Sequence, residues 1–181
     1  MQLSQPPRAV QAVAPLPDRS VGGWFVLHTK SRQERTLSAD LAAMCIHHFL
    51  PLIPVDRYVG SRKAKAWTPL FPGYVFLRGS LEEAYQADRT KRVARIIRVS
   101  DQTRLDAELV NLHRVLVGDG ELDPYPFLRS GTRVIVRAGP FRGVQGLVES
   151  RVSWNRLILQ IDLLGTAVGL QIDASLLDLI E

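Results

Sequence analysis

The spacing of apolar residues near the start of the chain predicts a strand followed by a helix. The segment Trp24–Thr29, WFVLHT, has the apolar content of a buried strand. Apolar residues then recur at helical spacing, at Leu37, Leu41, Met44 and Cys45. Because such positions share one helical face, we expect these side chains to form a single buried stripe. Cys45 is thus predicted to be a small core residue. Because it is the one cysteine of the chain, an intrachain disulfide and a cysteine-based zinc site are excluded.

Helix starts are predicted at three capping patterns, in which a Ser or Thr precedes an acidic residue by three positions. These patterns span Ser31–Glu34, Ser80–Glu83 and Thr103–Asp106. In each, the hydroxyl and the carboxylate are expected to satisfy backbone N–H groups of the first helical turn. The third helix then carries leucines along one side, at Leu105, Leu109, Leu112 and Leu116. That side is predicted to face a core.

The residues between and after the first two helices are predicted to be extended. Two arms, His48–Val59 and Ala64–Phe71, flank a polar tip, and the aromatic strand Tyr74–Leu77 follows a turn containing two prolines. Another strand, Arg92–Ser100, lies between the second and third helices. The predicted order is therefore β–α–β–β–β–α–β–α, which indicates an α/β sandwich with a mixed, mostly antiparallel sheet.

The pattern changes in the last third of the chain, where strands alone are predicted. About five short strands separated by turns follow Phe127, which favours a small five-stranded β-barrel. Gly118–Pro126 is polar and without periodicity, so we interpret it as a linker. The fold class is thus α+β, with a flexible leader (1–22), an N-terminal domain (23–117), the linker (118–126) and the barrel (127–181).

Charge adds a hypothesis about partners. The net charge is +5, and residues 57–104 contain eleven Lys or Arg against four Asp or Glu. Such an excess indicates a polyanion-binding face, although a solvated basic surface explains it equally well. No apolar run approaches the length of a membrane span, and the proline-interrupted leader lacks the apolar core of a signal peptide. We expect a cytoplasmic monomer that does not contact membranes.

The sequence offers no catalytic arrangement. His28, His47, His48 and His113 have no Cys, Asp or Glu at metal-ligand spacing, so each is interpreted as a satisfied or solvent-facing histidine. Motifs of serine hydrolases, zinc peptidases and phosphate-binding loops are missing. We therefore expect a protein that is not an enzyme and needs neither a cofactor nor a metal.

Two motifs carry a resemblance to a known family. Gly131–Glu149, in which an alternating strand enters a Gly-Pro-Phe turn, resembles the KOW motif of small SH3-like barrels. Trp24–Glu34 together with Pro69–Gly79, ahead of such a barrel, resembles the N-terminal (NGN) domain of NusG transcription elongation factors. The resemblance covers Gly23–Glu181. Within the family, Lys30–Glu34 and Pro69–Tyr74 are most similar to the specialised, operon-recruited RfaH and UpxY type.

The resemblance implies a transcription elongation and antitermination factor that suppresses pausing. In this family the N-terminal domain binds the clamp helices of the largest RNA polymerase subunit. The positions that match the contact surface are His28, Phe71, Pro72, Tyr74, Phe76 and Ile96. For Phe76 and Ile96, a place in the core is an equally good interpretation. Pro72 and Gly73 would fix the direction of the aromatic contacts, because proline restricts the backbone and glycine permits unusual turns.

The resemblance also implies two further partners. Non-template DNA would be contacted by a basic set, which comprises Lys30, Arg32, Arg35, Thr90, Lys91 and Arg92. The barrel would recruit the Rho termination factor or a small-subunit ribosomal protein through Phe141, Arg142, Leu163 and Leu164. Gly165 and Gly169 disfavour helix, so we expect a constitutive barrel. A KOW barrel alone would also be compatible with a ribosome- or RNA-associated binding protein.

Overall fold

The structure, a computed structural model, describes residues 14–59, 62–118, 122–125, 131–148 and 156–180. The N-terminal strands are β1 Gly23–Thr29, β2 His48–Phe49, β3 Leu52–Val59, β4 Arg62–Pro69, β5 Tyr74–Gly79 and β6 Val93–Arg98. The helices are α1 Glu34–Ala43, α2 Leu81–Arg89 and α3 Gln102–Val117. The C-terminal strands are β7 Leu122–Tyr125, β8 Thr132–Val136, β9 Gln145–Val148, β10 Arg156–Ile161, β11 Thr166–Gln171 and β12 Leu177–Leu179.

The N-terminal domain is a sheet with helices on both faces. Its antiparallel strands run in the order β2-β5-β1-β6. One face packs on α1 and α2 through a cluster that includes Leu27, Leu37 and Leu77. The other face packs on α3, where Val26 and Leu109 are fully buried. All four leucines of the predicted α3 stripe are buried, as helical spacing required. The α+β fold class is confirmed.

The predicted capping patterns differ in their outcome. At Ser80–Glu83 the structure has the complete capping box, with both reciprocal hydrogen bonds. The helix predicted to begin at Ser31 instead begins at Glu34, and Gln33 at its N-cap makes no side-chain capping bond. Helix α3 is capped by Asp101, whose carboxylate accepts a hydrogen bond from the backbone N–H of Arg104. The pattern at Thr103–Asp106 is therefore not used as a cap.

The predicted core position of Cys45 is wrong. Helix α1 ends at Ala43, two residues before Cys45, and the backbone of Cys45 turns into the left-handed region with φ of 58°. This turn carries Met44 and Cys45 off the helical stripe, and both side chains are exposed. The stripe consists of Leu37 and Leu41 alone, because these residues precede the turn.

The two extended arms form a separate two-stranded sheet. Strands β3 and β4 pair in antiparallel register from Leu52 opposite Pro69 to Val59 opposite Arg62. The half-buried side chains of Leu52 and Ile53 pack against the two cores of the domain. The hairpin is therefore anchored at the end formed by Leu52 and Pro69. Residues 60–61 of the predicted tip lie outside the described residues.

The C-terminal domain is a six-stranded antiparallel sheet in the order β12-β8-β9-β10-β11-β7. All five predicted strands are present. The sixth, β7, lies within the segment interpreted as a linker and pairs with β11, with Leu122 opposite Leu170. Alternating residues of β10 and β11, including Leu159 and Val168, point into the core. The sequence does not reveal this strand because its partner β11 is remote along the chain.

Part of the leader is held against the N-terminal domain. The guanidinium of Arg78 donates hydrogen bonds to the backbone oxygens of Arg19, at 2.8 Å, and Val21, at 3.0 Å. It also pairs with Asp106 at 2.7 Å and lies over the ring of Trp24. A buried arginine with these partners fixes residues 18–21, which the sequence assigned to a flexible leader. Residues 1–13 lie outside the described part.

Candidate functional site

The turn that precedes β5 is held by the start of α1. The carboxylate of Glu34 is buried and accepts a hydrogen bond from the backbone N–H of Gly73 at 2.7 Å. The carbonyl oxygen of Gly73 in turn accepts a hydrogen bond from the backbone N–H of Thr29 at 2.8 Å. Gly73 has a φ of 87°, in the region that favours glycine. The two sequence motifs are thus joined in space through one glycine.

This turn places an aromatic residue beside a histidine. Tyr74 and His28 face each other across β5 and β1, and their rings stack with centroids 5.2 Å apart and planes 28° apart. Both side chains are half-buried, and Pro72 beside them is exposed. These three predicted residues therefore lie together at one end of the sheet. Stacked, partly exposed rings bury a large area when a partner covers them.

The remaining members of the predicted contact set are less accessible. Phe71 is 4% exposed, and its ring meets that of Phe76 edge to face at 6.1 Å. Phe76 is completely buried, so it is a core residue. Ile96 packs with Leu27 on the face that carries α1 and α2. It does not join the others, because alternation along β6 turns it to the opposite face of the sheet.

A groove of about 1110 Å³ lies beside the turn. The hairpin contributes Trp67 and Val55, the turn contributes Phe71 and Tyr74, and the start of α1 contributes Arg35. Leu122 and residues 165–167 of the C-terminal domain line it as well. Trp67 was missed in the sequence analysis, although its place in a strand next to the proline turn was a usable signal.

Among the described residues, some side chains of the basic set have no hydrogen-bond or ion-pair partner, whereas others are engaged. Lys30, Arg32 and Lys91 are exposed, and the backbones of Arg32 and Lys91 adopt positive φ values of 59° and 60°. The two loops are tied together, since the backbone N–H of Lys30 donates to the carbonyl oxygen of Arg92 at 2.8 Å. Non-glycine residues with positive φ are uncommon and often mark functional loops. Within the described residues, no hydrogen bond or ion pair engages the side chains of these three cations.

The other three members have structural partners. Arg92 pairs with Asp40 at 2.5 Å and donates a hydrogen bond to Gln33 at 2.8 Å. The hydroxyl of Thr90 donates to the carbonyl oxygen of Ala87 at the end of α2. Arg35 is exposed and donates to the carbonyl oxygen of Trp67 at 3.2 Å. Arg92 and Thr90 therefore position the loop that presents Lys91.

The residues predicted to bind a partner of the C-terminal domain do not form a uniform surface. Arg142 and Leu163 are exposed, whereas Phe141 and Leu164 are half-buried against the core. The ring of Phe141 faces the end of α3: a Cβ atom on Gly118 would lie 2.8 Å from it. Phe141 is therefore part of the contact between the two domains.

Charged groups also meet at that contact. Arg104 of α3 pairs with Asp162, and the carboxylate of Glu108 accepts hydrogen bonds from the guanidinium of Arg104 at 3.2 Å and the backbone N–H of Asp162 at 3.5 Å. Burial raises the pKa of Glu108 to about 7, against the smaller opposing effect of Arg104. Asn111 adds a hydrogen bond to the carbonyl oxygen of Gln145.

The side chains of His48 and His113 are half-buried. Burial lowers the pKa of His48, whose Nδ1 donates to the carbonyl oxygen of Ile46 while Nε2 accepts from the hydroxyl of Ser38. Burial likewise lowers the pKa of His113, which meets Phe49 edge to face. Among the described residues, no three His, Cys, Asp or Glu side chains are placed to hold a metal ion. No helix in the described ranges has the length and apolarity to cross a bilayer.

Comparison with known proteins finds one family model and solved structures that are similar to this chain. The family model of "Transcription termination factor nusG" matches residues 22–114, which is half of the chain. A solved structure described as "Domain interaction in Thermotoga maritima NusG" is 19% identical. That match covers 88% of this chain and 97% of the other, with a TM-score of 0.44. The family match contains β1, α1 and the proline turn, which together build the end of the sheet where Tyr74 stacks on His28.

Proposed function

Because the chain belongs to the NusG family, we propose that it is a transcription elongation and antitermination factor that docks on the clamp helices of RNA polymerase. The observation that carries this proposal is the stack of Tyr74 on His28 beside a turn that Glu34 holds in place. An aromatic surface that is already ordered binds a helix without paying the entropic cost of ordering its own side chains. Trp67 extends this surface into the groove, while Phe71 and Phe76 support it from below.

Non-template DNA is the proposed partner of the basic loops. Lys30, Arg32 and Lys91 would contact phosphates, because they are exposed and no hydrogen bond or ion pair within the described residues engages their side chains. Thr90 and Arg92 would hold their loop in shape, and Arg35 would add an outer contact. Phosphate binding by these cations is expected to weaken with salt, since it releases counterions from the DNA.

The C-terminal domain is the proposed attachment point for a further component, Rho or a small-subunit ribosomal protein. Arg142 and Leu163 are exposed and could contact such a partner directly. Phe141 and Leu164 would contribute after the domain moves away from α3. The protein would act in the cytoplasm, where polymerase and ribosome work together, and it would suppress pausing without catalysis of its own.

We further propose the specialised RfaH or UpxY type of action, at selected operons. Its support is the sequence of the two motifs, Lys30–Glu34 and Pro69–Tyr74, which meet at Gly73. Mapping of the chromosomal sites occupied by the protein tests this step. Occupancy of a few long operons is the expected result, and uniform occupancy of transcribed genes would point to a general factor.

The docking proposal is tested by capture of core RNA polymerase on the immobilised full-length protein. Tyr74→Ala is expected to reduce capture about tenfold or more, because it removes half of the stacked pair. Tyr85→Ala is the matched control, since Tyr85 is 45% exposed on α2, on the other side of the sheet. Equal capture by both variants would contradict the docking surface. Co-sedimentation with ribosomes in place of polymerase would favour the alternative, a ribosome-associated protein.

A further inference from the structure

The stacked pair continues across the sheet into an arginine. In the antiparallel register, His28 of β1 lies opposite Tyr74 of β5 on one side and opposite Arg95 of β6 on the other. The three side chains therefore lie on one face in a single row, which we call the docking row. The row ends at β6, which is an edge strand of the sheet. From β5 to β6, the side chains of the row change from aromatic to cationic.

Arg95 differs in its contacts from Arg78 and Arg92, two paired arginines of this domain. Arg78 and Arg92 are paired with Asp106 and Asp40. Arg95 is exposed, and within the described ranges it makes neither a hydrogen bond nor an ion pair. An exposed, unpaired guanidinium at the end of the row is available to a negatively charged group of a partner, since arginine offers a planar fork of donors.

The spacing of the strands and the width of a helix favour a carboxylate on a docked helix as the partner of Arg95. Adjacent strands lie about 4.8 Å apart, so Arg95 is about 10 Å from Tyr74 along the row. A helix with its side chains is about 10–12 Å wide. A helix whose apolar side covers Tyr74 and His28 would therefore bring the polar residues at its flank to Arg95. Aromatic residues and arginine are also the side chains that dominate the energetics of protein interfaces.

We propose that Arg95 is a specificity-determining residue of the docking surface, which binds an acidic side chain at the flank of the polymerase helix that covers Tyr74 and His28. This inference rests on the proposed function. Arg95 thereby takes, on β6, the contact role that the family resemblance predicts for the neighbouring residue Ile96. A partner helix that lacks an acidic residue at this flank would leave Arg95 unpaired and bind more weakly.

The chain offers a matched control for the test. Arg98 lies on the same strand, is exposed like Arg95, and lies opposite Phe25 on the other face of the sheet. The variants Arg95→Glu and Arg98→Glu therefore make the same change in net charge on the same element. Because both side chains are exposed, both variants are expected to fold with unchanged circular dichroism and melting temperature.

The measurement is the dissociation constant of the full-length protein for core RNA polymerase free of nucleic acid, at low and at high salt. Arg95→Glu is expected to weaken binding about tenfold or more, mainly at low salt, whereas Arg98→Glu stays within about twofold of wild type. Equal constants for the two variants, with Tyr74→Ala weakened, would overturn the inference alone. If Tyr74→Ala also binds like wild type, the docking proposal fails and the inference falls with it.

A second arm separates the carboxylate from a DNA phosphate. The same constants are measured for polymerase assembled on a DNA–RNA scaffold. A loss for Arg95→Glu of the same size with and without nucleic acid supports a protein carboxylate. A loss that appears with the scaffold alone would overturn the proposal and assign Arg95 to the DNA-binding loops.

Discussion

The carboxylate of Glu34 accepts a hydrogen bond from the backbone N–H of Gly73, 39 residues further along the chain, at 2.7 Å. This contact joins the start of α1 to the proline turn and thereby sets the direction in which Tyr74 leaves that turn. The turn is held from its other side by the hydrogen bond between the N–H of Thr29 and the carbonyl oxygen of Gly73. Both backbone groups of Gly73 thus hold the turn at the end of the sheet where Tyr74 stacks on His28.

Loss of the Glu34 carboxylate is predicted to destabilise the protein. Glu34→Ala leaves the N–H of Gly73 without this acceptor, which costs about 1–3 kcal/mol in the free energy of unfolding. Glu34→Gln keeps an acceptor oxygen and is expected to lose less. Urea denaturation followed by tryptophan fluorescence measures both. An alanine variant as stable as the glutamine variant would contradict the role of this hydrogen bond.

The two Ser-x-x-Glu patterns provide a matched pair of capping variants. Ser80→Ala removes the hydroxyl that accepts a hydrogen bond from the backbone N–H of Glu83, and we expect a loss of about 1 kcal/mol. Ser31→Ala is expected to change stability by less than about 0.5 kcal/mol, because α1 has no side-chain cap. Thermal unfolding of both variants checks this order, and a larger loss for Ser31→Ala would refute it.

Arg78 is predicted to be the main anchor of the leader. Arg78→Met removes the donors to the carbonyl oxygens of Arg19 and Val21 and leaves Asp106 with a more exposed partner. Because Asp106 keeps Arg19 and the indole N–H of Trp24 as partners, we expect a loss of about 1–3 kcal/mol in the free energy of unfolding. We also expect faster tryptic cleavage after Arg19. Arg98→Met, at an exposed position, is the control and is expected to retain wild-type stability and cleavage rate.

Glu108 is predicted to make stability depend on pH. Burial raises its pKa from the ordinary value of 4.5 to about 7 in the folded protein, so the folded state binds the proton more tightly than the unfolded chain does. Stability therefore falls as the pH rises from about 4.5 to about 7, and the loss is complete above that range.

Glu108→Gln is expected to remove this fall. At pH 8 the variant should be more stable than wild type, by an amount on the order of 1–3 kcal/mol, and near pH 4 the two should be equal. Unfolding free energies measured across this range check the sign. Glu82→Gln is the control because Glu82 is largely exposed on α2. A variant that loses stability at pH 8 would contradict the assignment.

The parts of the fold that were predicted correctly depend on neighbours in the sequence. The leucine stripe of α3 and the capping box at Ser80 involve residues three or four positions apart, so their spacing alone indicates the contact. The five C-terminal strands were visible for the same reason, as alternation is a local property. Strand β7 was missed because its pairing with β11 bridges more than 40 residues.

The candidate site shows the same difference between what neighbouring residues indicate and what remote contacts decide. Sequence motifs predicted Tyr74, His28 and the basic loops as contact residues, but they could not distinguish a surface residue from a core residue. Register and packing decided this: Ile96 alternates to the opposite face, whereas Arg95 enters the docking row. Phe76 shares the face of Tyr74 but lies two residues further along β5, in the core that α3 covers.

By itself, the sequence determined most of the elements in their order, the change from mixed helices and strands to strands alone, and the family. These properties follow from periodicity and from motifs that are short enough to be read along the chain. The tertiary structure alone decided which side chains share a face, which cations lack a partner within the described ranges, and where residues 18–21 are held. Those outcomes depend on competition between remote partners for the same hydrogen-bonding groups. Glu34, for example, belongs to a capping pattern in the sequence but binds Gly73 in the fold.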